Sequence, residues 1–146
     1  MRVGWVLPVA LAYVVGRGLA SIATRSDDVY FGIGVIASGA FALAVFGTAF
    51  TQSPVAVHII PWVKRYEADV VTHPQYRQVA AHVTAAWGVC ELGVSLWEAS
   101  HLSQTSSVEF VAMRSLVGWP IMAFVVFWLI FYVRARLDPL EHRLRQ

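Results

Sequence analysis

The sequence predicts an all-α integral membrane protein, a bundle of four transmembrane helices with a short additional half-helix. Of its 146 residues, 58% are hydrophobic and only 14% are charged, whereas about 25% is usual for a soluble domain. The segment from Val29 to Phe50 contains no charged residue, and about 20 apolar residues suffice for a helix to cross a bilayer. Three more apolar segments accompany it, and the length suits one domain, so residues 1–146 are predicted to form a single membrane domain.

The first apolar segment, residues 3–23, is interpreted as a membrane-spanning helix. It contains Pro8 and Arg17, and the long side chain of Arg17 can reach the headgroup region from near the end of such a helix. The segment also resembles a signal peptide, with Ser21-Ile22-Ala23 as a tolerable cleavage site. Because an arginine is unusual so late in a signal peptide, we expect the segment to be retained.

The second span covers residues 29–50. Asp27 and Asp28 precede it, and carboxylates at this position stabilise the positive end of a helix dipole. Small residues recur on this helix at close helical spacing, namely Gly32, Gly34, Ser38 and Gly39. Small side chains let two helices approach closely in lipid, so we predict an internal packing face here rather than a dimer contact.

Residues 54–63 are apolar but too short to span a membrane. They are predicted to form a half-helix that either re-enters the membrane or lies in its interface, and a charged stretch beginning at Lys64 ends the apolar run. The spacing of Pro54 and Trp62 recurs once in the last span, which indicates either a weak internal repeat or a chance similarity.

The third and fourth spans cover residues 79–102 and 115–133. Pro120 lies near the start of the fourth span, where the missing N–H of a proline costs little. Trp119 and Trp128 are suited to anchor this span at the membrane interfaces. Residues 134–146, with four arginines and two acidic residues, are predicted to form a cytoplasmic tail.

The distribution of lysine and arginine predicts that both termini lie in the cytoplasm, because these residues are enriched in cytoplasmic loops. With four spans, eight of the 11 basic residues share the side of the termini, and Arg17, Arg25 and Arg114 lie on the other side. The chain is therefore predicted to be a multi-pass membrane protein. Without the first helix, three spans would remain and the N-terminus would lie outside.

A polar stripe runs along the third span. Glu91 and Glu98 are seven residues apart and so lie on one helix face, and the residues near the same stripe are Thr84, Gly88, Ser95 and His101. An ionisable residue costs about 2.5–3.5 kcal/mol at the centre of a span, whereas each Leu or Val returns only about 0.3–0.6 kcal/mol. Glu91, near mid-span, is therefore expected to face the bundle interior, either protonated or paired.

Arg114 is the predicted partner of the stripe, since it begins the fourth span on the side where Glu98 ends the third. An arginine and a carboxylate can satisfy each other in a dry place through two parallel hydrogen bonds. Three interpretations stay open: a staple between Glu98 and Arg114 with Glu91 bound to a hydroxyl or an indole N–H, a path for an ion, a proton or a polar substrate through Glu91, and contacts with a partner subunit.

A second set of residues is suited to lipid headgroups, because each basic residue near an anionic membrane surface gains roughly 1 kcal/mol. The candidates are Trp62, Lys64, Arg65, Arg134 and Arg136. The basic excess is small and no stacking motif accompanies it, so membrane lipids are predicted as partners and nucleic acid is not.

The residue types of familiar enzyme and metal sites do not gather in recognisable patterns. The five histidines form no pair at the spacing of a helical metal site, and Cys90 is the single cysteine. No glycine-rich phosphate loop and no Ser-His-Asp set is present. We therefore predict no catalytic residue, no metal and no cofactor, and we expect the protein not to be an enzyme.

Four short motifs resemble a known family. They are Ser26-Asp-Asp-Val-Tyr-Phe, Phe50-Thr-Gln-Ser-Pro-Val-Ala-Val, His73-Pro-Gln-Tyr-Arg followed by Trp87, and Arg114-Ser-Leu-Val-Gly-Trp-Pro. Together they resemble an actinobacterial family of multispanning membrane proteins of unknown function (domain-of-unknown-function family 3159), itself loosely similar to intracellular septation protein A. Arg114 matches the family pattern and Glu91 falls outside it. The resemblance covers roughly Ser26 to Arg134. It implies only the architecture and the location, which would be a bacterial plasma (inner) membrane.

The expected function is that of a non-enzymatic scaffold or accessory subunit, working as a homo-oligomer or within a larger membrane complex. A compact bundle without a chemical motif favours it. The first alternative is a small transporter or channel that uses Glu91, Glu98 and Arg114. The second alternative is a lipid-binding membrane protein with headgroups near residues 54–66.

Overall fold

A computed structural model of the chain describes residues 15–16, 18–20, 22–24, 27–102, 104 and 106–146. The regular secondary structure within these residues is entirely helical, which confirms the predicted class. Much of the first predicted span, namely residues 3–14, 17 and 21, lies outside the described residues, and the remainder of that span is helical.

From Asp27 onward, the described residues form six α-helices and one π-helical turn. They are α1 (Asp27–Thr48), α2 (Ala56–Val63), α3 (Ala68–Thr72), α4 (Pro74–Leu102), α5 (Ser107–Met113), the π-turn (Arg114–Gly118) and α6 (Trp119–Leu144). Three stretches are long and apolar enough to cross a membrane, namely Val29–Thr48, Pro74–Leu102 and Ser107–Leu144. The described residues thus contain three candidate membrane-spanning helices, at the positions of the second, third and fourth predicted spans.

Two of these spans extend well beyond the predicted limits. The third begins at Pro74 instead of residue 79, and the fourth runs from Ser107 to Leu144 instead of over residues 115–133. The hydroxyl of Ser106 accepts from the N–H of Glu109 while the Glu109 carboxylate accepts from the N–H of Ser106, a capping box that starts the helix early. Hydropathy locates the part of a helix that lies in lipid, and these polar ends continue the helix outside it.

The helices α1 and α4 pack antiparallel along most of their length. A Cβ added to Gly32 would lie 3.6 Å from the side chain of Leu102, and one added to Gly39 would lie 3.9 Å from Cβ of Ser95. A Cβ added to Gly88 would lie 2.8 Å from Cβ of Phe46. The contacts advance by seven residues on both helices, the spacing of a left-handed helix pair. The small-residue face of α1 therefore packs inside the chain, as predicted.

The short helix α2 continues in the direction of α1. Its first residue, Ala56, donates its N–H to the Thr84 hydroxyl of α4 at 3.0 Å, and beyond its end the ring of Tyr66 lies 6.5 Å from that of Tyr76. The chain thus descends α4 toward its N-terminus, in the same sense as α1. A short helix is present where the half-helix was predicted, and its placement, re-entrant or in the membrane interface, stays a prediction.

In the break between α1 and α2, threonine hydroxyl groups accept hydrogen bonds from backbone N–H groups. Thr48 accepts from the N–H of Val55 at 3.4 Å, and Thr51 accepts from the N–H of Ser53 at 3.3 Å. Thr84, which is fully buried, satisfies the first N–H of α2. Non-helical backbone near a membrane interior persists only where such partners exist, so these threonines make the interruption tolerable.

The main apolar core lies where α2, α4 and α6 meet. Its buried residues are Ala56, Ile60, Val70, Tyr76, Val79, Ala80, Val83, Leu129, Val133, Leu137 and Leu140. This core fills the half of the bundle that contains the start of α4 and the end of α6. Glu91, Glu98 and Arg114 lie in the other half.

Candidate functional site

The π-turn positions the arginine of the candidate site. The N–H of Trp119 donates to the carbonyl of Arg114, five residues earlier, so the helix widens by one residue over Arg114–Gly118. Such π-helical turns inside α-helices are frequent at functional sites. Here the turn brings Arg114 and Gly118 onto the same cavity.

Glu98 and Arg114 form the ion pair that the sequence predicted. Nε of Arg114 lies 2.9 Å from Oε1 of Glu98, whose side chain is only 3% exposed, against 40% for the arginine. A carboxylate so deeply buried is stable only with such a partner, because an unpaired buried charge carries a large desolvation cost. The pair therefore fastens the π-turn to α4.

The relative burial of the two glutamates differs from the expectation. Glu91, near mid-span, was expected to be the more deeply buried of the two, but Glu98 is buried and Glu91 is half-buried. Depth along a span does not reveal which neighbour packs there. Glu98 lies at the level of α4 where the π-turn approaches, and that contact covers it.

A cavity of about 270 Å³ separates α1, α4 and the start of the last span. Its lining residues are Ser38, Glu91, Val94, Ser95, Glu98, Arg114, Gly118, Trp119 and Met122. Since one water occupies about 30 Å³ of the liquid, the cavity holds several waters or one small solute. Both carboxylates, the guanidinium and two hydroxyls thus share one space.

Glu91 makes no hydrogen bond and no ion pair within the part of the chain that the structure describes. The cavity therefore contains two carboxylates and one guanidinium, an excess of one negative charge when both acids are ionised. A proton on Glu91 or a bound small cation would neutralise this excess.

The structure brings Ser95 into the site and leaves His101 outside it. Ser95 is buried and lines the cavity. His101 is not a lining residue, and its Nδ1 lies 2.9 Å from the carbonyl of Trp97. Ser38 and Met122 also line the cavity but were not among the predicted site residues. The available signal was that Ser38 is a polar residue next to Gly39 on the packing face of α1.

Lys64, one of the predicted headgroup residues, is committed to carboxylates of α6. Its Nζ lies 2.8 Å from Oδ1 of Asp138 and 2.8 Å from Oε2 of Glu141. The hydrogen bond to Asp138, followed by that to Glu141, raises the pKa of Lys64 well above its usual value. Burial and a hydrogen bond to Asp138 likewise raise the pKa of Tyr66. Lys64 is thus permanently cationic and already compensated.

The other predicted headgroup residues have a freer environment. Arg65, Arg134 and Arg136 are exposed, and none of them forms an ion pair among the described residues. Arg136 lies over the ring of Tyr132 at 5.7 Å, and Trp62 is 87% exposed. The headgroup role of these residues stays a prediction.

In the described part of the chain, no three His, Cys, Asp or Glu side chains gather as metal ligands. Cys90 is half-buried and free. The family resemblance and the expected function both stay predictions, since no family model, curated protein or solved structure matches the chain.

Proposed function

We propose that the chain is a non-enzymatic, multi-pass protein of a bacterial plasma membrane, with four spans and both termini in the cytoplasm. The three membrane-spanning helices support it, with residues 3–23 as the further span. The salt bridge between Lys64 and Asp138 joins the loop after α2 to the end of α6. Seven of the eight basic residues in the described ranges belong to this end, a bias typical of the cytoplasmic side, and they are Lys64, Arg65, Arg77, Arg134, Arg136, Arg143 and Arg145.

We propose further that the polar cavity takes up a proton or a small monovalent cation, as in a small transporter. The observation that carries this proposal is Glu91, which forms no hydrogen bond or ion pair with any described residue. It shares a cavity of about 270 Å³ with the pair of Glu98 and Arg114. Intramembrane ionisable residues commonly mark ion or proton pathways because they are too costly to retain otherwise.

The position of the cavity supports uptake from the outer side. Glu98 and Arg114 lie near the end of the bundle opposite Lys64, and Glu91 lies about 10 Å further along α4 toward the middle. Beyond Glu91, the side chains that α4 and α6 turn toward each other belong to the apolar core. The cavity therefore has its polar access at one end, which fits a transporter better than an open channel.

Flux measurements on reconstituted protein test this proposal. Liposomes containing the chain should take up protons or a small cation, detected with an internal pH dye or a cation indicator, and Glu91→Gln should abolish the uptake. Asp69→Asn is the matched control because Asp69 is exposed and distant from the cavity. Absent uptake by the original chain, or equal uptake by Glu91→Gln, would rule the proposal out.

As a second candidate function, we propose that the chain is a scaffold or an accessory subunit of a membrane complex. No more than 33% of the apolar stretch of any of these helices is buried within the chain, so most of each helix is available to lipid or to partner helices. On this proposal, the pair of Glu98 and Arg114 serves only to fasten two helices. Co-purification from native membranes under mild detergent should recover a stable partner or a homo-oligomer. Recovery as a lone monomer would contradict it.

A further inference from the structure

A second cavity lies between α2, α4 and α6, in the half of the bundle opposite the polar cavity. Its volume is about 160 Å³. All of its lining residues are apolar, namely Ala56, Ile59, Ile60, Val63, Val83, Trp87, Val126, Leu129, Ile130 and Val133. This apolar groove suits a hydrocarbon chain and offers nothing to a polar ligand.

Basic residues border the end of the groove nearest Lys64. On α6, Val126 and Ile130 line the groove one helical turn apart, and the exposed Arg134 continues the same stripe one turn further. On α2, Val63 lines the groove and is followed by Lys64 and the exposed Arg65. The groove thus passes from an apolar wall to cationic side chains, the order of groups in a phospholipid.

The charge at this end is not balanced within the protein. Three carboxylates, on Glu67, Asp138 and Glu141, are taken by Lys64 and Arg145. Arg65 and Arg134 form no ion pair among the residues that the structure describes, although Arg134 lies near enough to Asp138 for their charges to interact. This end of the bundle contains seven basic and four acidic residues, so an excess of three positive charges remains. Such uncompensated charge beside an apolar groove is complementary to an anionic headgroup and not to a neutral one.

We propose that this groove is a binding site for an anionic phospholipid, with an acyl chain along α2 and α6 and the phosphate at Arg65 and Arg134. The site is independent of the polar cavity. Each arginine should favour an anionic over a zwitterionic lipid by about fivefold, the equivalent of roughly 1 kcal/mol per basic residue.

Quenching of Trp87 by brominated acyl chains tests the proposal, since Trp87 lines the groove. A variant that retains Trp87 as its only tryptophan is reconstituted in vesicles of dioleoylphosphatidylcholine and dioleoylphosphatidylglycerol, with one lipid brominated at a time. We expect the anionic lipid to be preferred at Trp87, and the preference to vanish in Arg65→Ala/Arg134→Ala. A variant retaining only Trp119, which is 72% exposed and lines the other cavity, should show no preference.

Three outcomes would overturn the proposal. Equal quenching of Trp87 by both lipids would mean that the groove only contacts bulk lipid. A preference for the anionic lipid that survives in the double arginine variant would mean that other residues bind the headgroup. No quenching by either lipid would mean that protein covers the groove.

Native mass spectrometry gives the same comparison for the chain with all its tryptophans. Protein released from mixed vesicles should retain the anionic lipid, and Arg134→Ala should reduce the retained fraction by about fivefold. Arg143→Ala is the matched control, since Arg143 is exposed on the same helix but nine residues beyond Arg134. Equal losses in the two variants would contradict a defined site.

Discussion

Gly88 is the position where a single methyl group should do the most damage. A Cβ at this residue would lie 2.8 Å from Cβ of Phe46 and 2.9 Å from both its Cα and its N. Carbon atoms in optimal contact are about 3.5–4.0 Å apart, so α1 and α4 would have to separate by about 0.7 Å or more at this level. Overpacking of this kind typically costs about 1–3 kcal/mol.

The assay is unfolding of the purified protein by titration with sodium dodecyl sulfate, followed by tryptophan fluorescence and ellipticity. Gly93→Ala is the matched control, because nothing lies within 4 Å of its added Cβ and it shares the gain in helix propensity, up to about 1 kcal/mol. Gly88→Ala should be less stable than Gly93→Ala by about 1–3 kcal/mol. Phe46→Ala should not rescue Gly88→Ala, because alanine retains the three contacting atoms of Phe46, namely Cβ, Cα and N.

Equal stability of the two glycine variants would refute the close approach of α1 and α4. Rescue by Phe46→Ala would show instead that a side chain, and not the helix backbone, sets the distance. The antiparallel register would then need revision.

Three further predictions concern polar contacts. Arg114→Gln should lower the free energy of unfolding by up to about 3 kcal/mol by leaving the buried Glu98 unpaired, and adding Glu98→Gln should recover most of the loss, as measured by a double-mutant cycle. Thr84→Val should cost about 1–3 kcal/mol and speed hydrogen exchange at the N–H of Ala56, which loses its acceptor. Lys64→Met should lower stability by the same amount from about pH 6 to 9, because a raised pKa keeps the lysine charged until strong alkali.

Each of these predictions has a result that contradicts it. Equal stability of the single and double variants at Arg114 and Glu98 would mean that the carboxyl group is protonated without its partner. Thr72→Val is the control for Thr84→Val, since Thr72 is exposed and bonds only within its own helix. A pH-dependent loss in Lys64→Met within the neutral range would show that another group titrates with the lysine.

The membrane-spanning helices were predictable because the cost of burying charge in lipid acts on composition alone. Their ends were less predictable, since the capping box at Ser106 and the polar turns near Leu144 lie outside the reach of hydropathy. The π-turn at Arg114–Gly118 has no side-chain signature, so sequence analysis placed the arginine at the right end of the bundle without the turn that aims it.

The pairing of Glu98 with Arg114 was predictable because both residues lie at one end of their spans. The burial order of Glu91 and Glu98 was not, because it depends on which helix covers each level of α4. Thr84 was noticed as a member of the polar stripe, but its role in holding α2 was not, since that role depends on the chain turning back onto α4 after residue 48.

Different helices cover the two halves of α4, which explains why the molecule contains two different cavities. From Leu102 down to Gly88, α4 is covered by α1, whose small residues allow close packing and whose Ser38 adds a hydroxyl to the polar cavity. Below Thr84, α1 has ended and α2 takes its place with larger aliphatic side chains. One interrupted segment thus presents small residues and one hydroxyl group to one half of α4, and larger aliphatic side chains to the other.

The interruption also determines which half of the bundle has to move if a proton or cation is to cross. The polar half is fixed by the ion pair of Glu98 and the close approach at Gly88. The other half depends on α2, a helix of 8 residues held by Thr84 at its start and by Lys64 just beyond its end. A short helix separates at lower cost than a full span, so if the proposed uptake continues past Glu91 we expect α2 to be displaced rather than α1.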